Sequence, residues 1–301
     1  MTLLGVSGWS LIPSFTVIGL VLGGTYALAA MGLVLIYRVS GVLNFAHGAV
    51  AMFSTFIAYQ IAVRMGLPSI LGLFAAIVAG MALGFLIERL TIRPLTGRPP
   101  LTKVVVTIGW LLVLQTGAGL IWKNTAYHAP VYLVSRTGFR LIGTSVRVGY
   151  DQLTTLIVAL VLAFATAALL RFTILGTSMR AVADDPDTGR LWGISVNRVT
   201  AASWMAGSAM AAIAGVLITP LINFTTYSLT LIVIDAFAAA LIGRLTSLPW
   251  TFVGAMFLGL AETYPRAFFN GAGVPAFVSF ILVLGTLAIL FRPGFSGRRA
   301  V

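Results

Sequence analysis

Long apolar stretches with very few charges constrain this sequence more than any other feature. The first charged side chain is Arg38, so the opening segment exceeds the roughly 20 apolar residues that cross a bilayer as a helix. With 59% hydrophobic and 9% charged residues, the 301-residue chain differs from soluble domains, in which about a quarter of residues are charged. We therefore predict a membrane protein that forms a single transmembrane domain over residues 1–301.

The apolar segments predict an all-α, polytopic membrane protein with eight or nine transmembrane helices. They cover about 12–36, 44–63, 68–88, 104–122, 153–170, 199–219, 231–242, 250–264 and 275–291. The stretch 231–242 is too short to cross about 30 Å at about 1.5 Å per residue, so we expect a re-entrant, half-length or tilted helix there. Segment 104–122 starts with β-branched residues and contains glycines, so an interrupted or re-entrant helix is an alternative to a continuous one there. Nine crossings would place the N-terminus outside and the C-terminus inside.

The basic residues lie in the connections between these segments. The net charge of +12 is therefore dispersed, which indicates positive-inside topology rather than a nucleic-acid-binding face. The strongly basic loop 89–103 is expected to be cytoplasmic. Residues 123–152 form the longest connection, and alternation places it on the outer side as short extended pieces, although it carries four basic residues: Lys123, Arg136, Arg140 and Arg147.

The segment 171–198 has a different composition from the rest. It holds four arginines and three of the seven acidic residues of the chain. An amphipathic helix is expected over about 177–192, capped by Thr177 or Ser178 and ended by Gly193. Arg180 and Asp184 have the i,i+4 spacing of an ion pair. Residues 172–198 are thus predicted to form a cytoplasmic loop that docks a soluble partner, with a solvated connector as the alternative.

Motifs for chemistry within this chain are missing. The GxxxxGK[ST] pattern that cradles nucleotide phosphates does not occur, so any ATP would have to be bound by another subunit. Serine-hydrolase, kinase and zinc patterns are missing as well, and the chain has two histidines and no cysteine. We therefore expect no catalytic residues, no metal site and no cofactor.

Three polar residues inside apolar segments are candidates for lining a pathway: Asn44, His47 and Asp235. Asn44 and His47 equally fit a role in capping a helix or bonding to a neighbouring one. Asp235 equally fits the cap of a short helix. Near the segment ends, two interfacial ion pairs are expected: Glu88–Arg89 and Glu262–Arg266.

The charged segment, LGTSMRAVADDPDTGRLWGISVNRV, resembles the coupling loop of the branched-chain amino-acid ABC transporter permeases. A Gly-x-x-x-Arg-Ala opening, an acidic middle and a Leu-x-Gly-Ile close are typical of that loop. Two more stretches, LNFAHG at 43–48 and AFAAALIG at 236–243 followed by Ser-Leu-Pro, are similar to family motifs in the same order. The resemblance assigns coupling to the ATPase to eight positions: Gly176, Arg180, Ala181, Asp184, Asp185, Arg190, Leu191 and Gly193.

The resemblance implies the permease subunit of an ATP-driven importer for branched-chain amino acids in the bacterial inner membrane. Its implied partners are a second, related permease, two cytoplasmic ATPase subunits and a soluble or anchored solute-binding protein, with no nucleic acid. The family usually has glycines where Arg244 and Trp250 stand and a lysine-like residue at Asp235, and the middle of the loop, residues 185–187, is also unusual. These departures leave urea or short amides open as solutes. An ATP-independent secondary transporter or channel is the alternative from another class, and it would need ionisable pairs deep in several spans.

Overall fold

The computed structural model describes residues 8–123, 125–127, 138–140, 147–222, 224–268 and 273–290. Helices dominate this part of the chain, so the predicted all-α class is confirmed. The α-helices are α1 (Gly8–Ser40), α2 (His47–Tyr59), α3 (Ser69–Ile87), α4 (Pro100–Trp122), α5 (Tyr150–Phe172), α6 (Ile174–Asp184), α7 (Pro186–Leu191), α8 (Val196–Ile218), α9 (Thr226–Ile242), α10 (Leu248–Thr263) and α11 (Val274–Leu290).

Three short turns extend these helices. Wide π turns follow α2 at Gln60–Arg64 and α3 at Glu88–Ile92, and a 3₁₀ turn follows α10 at Tyr264–Ala267. Two strands, β1 (Gly138–Arg140) and β2 (Arg147–Gly149), pair antiparallel with Phe139 opposite Val148. Both strands fall within the connection 123–152, and β2 lies within the extended piece predicted over 140–149. The other predicted piece, 131–136, and residues 141–146 lie outside the described residues.

Within the described residues, five helices are long and apolar enough to cross a membrane: α1, α3 with its π turn, α4, α5 and α8. Helix α4 is continuous over 23 residues, so the interruption considered for segment 104–122 does not occur. Helix α9 has 17 residues rather than about 12, because it begins five residues earlier than predicted. The side-chain oxygen of Thr225 accepts from the Ser228 amide, and this cap sets the earlier start.

Helix α1 is the central helix of the fold. Most of its apolar, membrane-spanning length is buried, and the helix packs against α5, α8, α9 and α10. Its glycines permit the closest of these approaches. A methyl group on Gly32 would lie 2.5 Å from the Gly207 carbonyl oxygen, and a methyl group on Gly207 would lie 2.5 Å from the Gly32 oxygen. The two backbones of α1 and α8 are therefore in direct contact, as small residues allow in lipid.

The molecule has two distinct ends. The C-terminal end of α1 lies beside α6, where Leu35, Leu170 and Met179 surround a small gap. The opposite end carries the β1–β2 hairpin and an aromatic cluster. In that cluster the Tyr127 and Phe224 backbones form an isolated bridge, with N···O distances of 2.9 and 3.1 Å. We call these the α6–α7 end and the hairpin end.

The turn between α9 and α10 contains an unusual backbone conformation. Arg244 and Leu245 have φ angles of 54° and 58°, in the left-handed region that costs a side-chain-bearing residue about 1–2 kcal/mol. Glycine avoids this cost because it has no Cβ. The left-handed backbone gives a physical reason for the glycine that the family resemblance associates with position 244.

The Arg244→Gly variant is expected to be about 1 kcal/mol more stable to unfolding than Arg244→Ala. Both variants remove the same exposed side chain, so the difference between them isolates the backbone term. Thermal unfolding of the detergent-solubilised protein measures it. Equal unfolding temperatures for the two variants would show that the left-handed turn carries no cost.

Candidate functional site

The charged segment forms a helix whose start differs from the prediction. Helix α6 begins at Ile174, and the Thr173 hydroxyl oxygen caps it by accepting from the Gly176 amide at 3.0 Å. Thr177 and Ser178, which were predicted as caps, lie inside the helix and donate to carbonyl oxygens four residues back, at 3.1 and 2.9 Å. The predicted cap was therefore wrong by one helical turn.

The segment contains two helices rather than the single helix predicted over 177–192. Asp185 separates α6 from α7 with an extended backbone (φ −155°, ψ 108°), which the following Pro186 favours because its ring clashes with a preceding helical residue. Pro186 also fits the first position of α7, where its missing N–H costs nothing. The boundary follows directly from the Asp-Pro pair.

Asp185 caps α7 with its side chain. Its carboxylate accepts from the Thr188 hydroxyl and from the Asp187 amide, the latter at 3.0 Å. The Thr188 hydrogen bond, followed by the amide, lowers the pKa of this exposed carboxyl below its ordinary 3.8. Because the folded-state pKa is depressed, the capping interaction is fully present above pH 3.8 and is lost as the pH falls through the lower folded-state pKa.

The end of α7 is fixed by a Schellman motif. The Ile194 amide donates to the Gly189 carbonyl and the Gly193 amide donates to Arg190, both at 3.0 Å. Gly193 has φ 78°, which this motif requires and which glycine adopts without strain. Gly193 therefore terminates the helix, as the sequence predicted, and gives the segment a defined turn into α8.

One face of the α6–α7 segment packs on the body of the protein. Met179 and Val182 are buried, and so is Gly176, where an added methyl group would lie 2.5 Å from the Leu170 carbonyl oxygen. Gly189 is also buried, facing Val182 across the two helices. The segment therefore packs against the ends of α1 and α5 and is not a loose connector.

The other face is exposed, and its most prominent feature is apolar. Leu191 and Trp192 are 88% and 83% exposed at the tip of the segment. Among the eight predicted coupling residues, six are exposed, Ala181 is half-buried and Gly176 is buried; the exposed six are Arg180, Asp184, Asp185, Arg190, Leu191 and Gly193. Large apolar side chains held in water by a capped, packed helix pair are typical of a binding surface.

The charged side chains of this segment pair differently from the prediction. Arg190 forms an i,i+3 ion pair with Asp187 at 2.6 Å. Arg180 donates to the Thr177 hydroxyl at 3.4 Å, and within the described residues it makes no ion pair with Asp184. The expected i,i+4 pair was wrong, because α6 ends at Asp184 and the two side chains lie on an exposed, solvated surface.

A buried ion pair supports the segment from the side. Glu88, 1% exposed, accepts two hydrogen bonds from Arg93 at 2.9 and 3.0 Å, and Arg93 also donates to the Asn197 carbonyl at the start of α8. The predicted partner, Arg89, was wrong because the π turn at 88–92 brings residue 93, not 89, over the carboxylate. The bidentate pair joins the end of α3 to the start of α8.

A second feature is a break in the helices between α1 and α2, within the protein interior. The His47 imidazole, at the start of α2, bonds to the Ala29 carbonyl in the middle of α1 at 2.9 Å. Helix α2 therefore begins inside the protein and not at the α6–α7 end. Residues 41–46 therefore return into the protein as irregular backbone. Such backbone is tolerated at membrane depth only where it is buried in protein or lines a cavity.

Thr107 of α4 supports this buried break. Its hydroxyl oxygen accepts from the Phe45 amide at 3.2 Å, and the hydroxyl lies 3.3 Å from the Leu43 carbonyl and 2.8 Å from the Val104 carbonyl. Thr107 itself is fully buried. No pattern in the sequence marked this residue, because its role depends on the position of the break in space.

Asn44 and His47 are fully buried beside this break, at 0% and 1% exposure. The His47–Ala29 bond matches the interhelical role considered for His47. Both polar atoms of the Asn44 side chain and Nδ1 of His47 have no hydrogen-bond partner among the described residues. In this conformation neither side chain reaches a surface, so a pathway role for them stays a prediction.

Thr107→Val is expected to destabilise the protein by about 1–3 kcal/mol, because the shape is preserved while a buried amide and carbonyl lose their partner. Thr102→Val on the exposed side of the same helix is the matched control and should have little effect. Thermal unfolding of the solubilised protein measures both. An equal effect of the two substitutions would contradict a supporting role for Thr107.

Asp235 lies inside α9 and does not cap a helix, so the capping alternative was wrong. It lines a cavity of about 390 Å³ toward the hairpin end, together with Arg266 and Tyr26. The Tyr26 hydroxyl donates to Glu262 at 2.9 Å, and Glu262 is 2% exposed. Tyr26 on α1 is therefore a partner of Glu262 that the sequence did not indicate.

Comparison with known proteins places the chain in a family. The model of the permease component of branched-chain amino acid transport systems matches residues 15–290. The chain belongs to this family. It is 34% identical to the high-affinity branched-chain amino acid transport system permease protein BraD of Pseudomonas aeruginosa, over 94% of this chain and 95% of that protein. It is 31% identical to LivH of Escherichia coli, over 91% of this chain and 94% of LivH.

A solved structure supports the same architecture. PsaBC from Streptococcus pneumoniae in complex with Fab superposes with a TM-score of 0.53 at 13% identity, covering 92% of this chain and 91% of that one. At this identity the likeness concerns the fold alone. Family membership and the apolar helices together show that this protein is a multi-pass permease of the inner membrane, in agreement with the sequence prediction.

Proposed function

We propose that this permease carries branched-chain amino acids as part of an ATP-driven importer. The observation that carries the proposal is the α6–α7 segment, two capped helices seated on the body that present Leu191 and Trp192 to solvent. The relatives BraD and LivH are named as permeases of high-affinity branched-chain amino acid systems, which supports the choice of solute.

The segment 172–198 would then face the cytoplasm and bind an ATPase subunit. Its eight predicted coupling residues would transmit movement of that subunit to the transmembrane helices. The packing of α6 against α1 and α5 supports this role, because a helix held by buried Met179 and Val182 transmits a rigid-body displacement. The hairpin end, which carries the connection 123–152, would face outward.

Three kinds of partner complete the proposed transporter. They are a second, related permease, two ATPase subunits and a solute-binding protein that delivers the amino acid from outside. The missing nucleotide-binding motif in this chain supports separate ATPase subunits. Exposed apolar side chains on α3, α4 and α5 would contact lipid or the second permease.

The test of this proposal is uptake of radiolabelled leucine by proteoliposomes that contain the tagged permease purified with its associated subunits. We expect uptake that needs ATP and the binding protein, with competition by isoleucine and valine and little competition by urea or acetamide. Competition by urea or acetamide alone would assign the other solute class. Uptake that proceeds without ATP would replace the importer with a secondary transporter or channel.

A further inference from the structure

The cavity at the hairpin end has opposite charges on its wall. It lies among α1, α8, α9 and the 3₁₀ turn after α10, and its volume of about 390 Å³ falls within the roughly 300–1,000 Å³ typical of small-molecule sites. Asp235 comes from α9 and Arg266 from the 3₁₀ turn. Much of the remaining wall is aliphatic, including Leu22, Ile218, Leu231 and Ile232.

The two charges lie at different depths along the molecule. Asp235 is the tenth residue of α9, so it lies about 14 Å along the helix axis from the start of α9 at the hairpin end. Arg266 follows the C-terminal end of α10, near that same end of the molecule. An acid inside an apolar span is costly and marks a functional site by default, particularly where it borders a cavity.

Glu262 is a nearby acid with a different environment. It is 2% exposed, accepts from the Tyr26 hydroxyl and is not part of the cavity wall, whereas Asp235 is half-buried and faces the cavity. The cavity therefore presents one carboxylate, one guanidinium, three neutral polar side chains (Tyr26, Gln152 and Ser228) and an aliphatic surface. A small α-amino acid with an aliphatic side chain presents the complementary set: an ammonium, a carboxylate and an apolar group.

We propose that this cavity is a binding site for the zwitterion of an aliphatic α-amino acid within the permease itself. Asp235 receives the ammonium group, Arg266 receives the carboxylate, and the aliphatic wall contacts the side chain. This assignment rests on the proposed function and deepens it, because selection of the solute would then occur in the permease as well as in the binding protein.

The experiment measures ligand binding to the purified permease complex without the binding protein. The unfolding temperature is recorded at increasing ligand concentration, and the concentration that gives half of the maximal rise reports the affinity. The ligands are leucine, leucinol, which lacks the carboxylate, and 4-methylpentanoate, which lacks the ammonium. For the wild-type complex we expect leucine to bind at least about tenfold more tightly than either analogue, since each analogue leaves one charged group of the cavity without its partner.

The variants separate the two charges. Arg266→Gln should bind leucine and leucinol within about twofold of each other but still discriminate against 4-methylpentanoate, and Asp235→Asn should show the reverse pattern. Asp151→Asn, a carboxylate at the same end outside the cavity wall, is the matched control and should retain both preferences. Unchanged preferences in the Asp235 and Arg266 variants would overturn the proposal, even if these variants unfold at a lower temperature.

Leucine uptake by the wild-type transporter with its binding protein is measured in parallel. ATP-dependent leucine uptake combined with unchanged preferences in both variants would contradict the binding site and leave the proposed function standing. A transporter that moves no branched-chain amino acid would instead contradict the proposed function. The two failures are therefore distinguishable.

Discussion

Gly207→Leu is expected to prevent α1 and α8 from packing and to yield little folded protein. Even a single added methyl group would lie 2.5 Å from the Gly32 carbonyl oxygen and 2.7 Å from Ile36, where both helices are buried. Because the obstacle is backbone, it cannot rotate away. The cost should reach or exceed the upper end of the roughly 1–3 kcal/mol that overpacking usually causes.

The matched control for this substitution is Gly109→Leu on α4. Gly109 is also a helical glycine, but it is exposed and an added Cβ would meet nothing within 4 Å. Leucine there should be neutral or stabilising by up to about 1 kcal/mol, because glycine is a poor helix former. Size-exclusion profiles after heating compare the two variants, and equal losses would contradict a special contact at Gly207.

Leu191→Ser with Trp192→Ser should abolish most ATP-dependent uptake while leaving the permease folded. Both side chains are more than four-fifths exposed, so their loss removes little packing within this chain. If they insert into the ATPase subunit, they are the kind of apolar anchor whose truncation costs about 2 kcal/mol or more, a loss of at least about tenfold in affinity. Uptake and the amount of co-purified ATPase measure this directly.

Ile174→Ser is the control for that pair. Ile174 is also 88% exposed and belongs to the same segment, but it lies at the start of α6, next to α5. It should leave ATPase binding within about twofold of wild type, well below the effect of a binding anchor. An equal loss from Ile174→Ser would mean that general apolar surface, and not the α7 tip, holds the ATPase.

The sequence was sufficient to predict the class of fold and most helix positions, because apolar length alone identifies membrane spans. It was less informative at helix starts. Thr225 and Ser228 form a capping box that pairs each residue's backbone amide with the other's side chain, and this pattern was visible in the sequence before the apolar run began. The Asp185-Pro186 pair likewise carried the signal that separates α6 from α7.

The contacts of the polar residues could not be predicted in the same way. Glu88 pairs with Arg93 because a π turn shifts the register of the helix, and no local pattern indicates that shift. Thr107 supports a backbone break that is 62 residues away in sequence. Asp235 and Arg266 meet at one cavity only because α9 and α10 pack together. Local sequence rules describe single helices, whereas these sites depend on how helices pack.

Site-specific cross-linking tests most directly whether the α7 tip binds the ATPase subunit. The chain has no cysteine, so Leu191→Cys creates a single reactive site, and Tyr227→Cys, 61% exposed at the start of α9, serves as a control at the opposite end. In inside-out membrane vesicles containing the ATPase subunits, a short bifunctional reagent joining this cysteine to a lysine should link residue 191 to the ATPase and leave residue 227 unlinked. A cross-link at 227 but not at 191 would place the ATPase at the hairpin end and contradict the account.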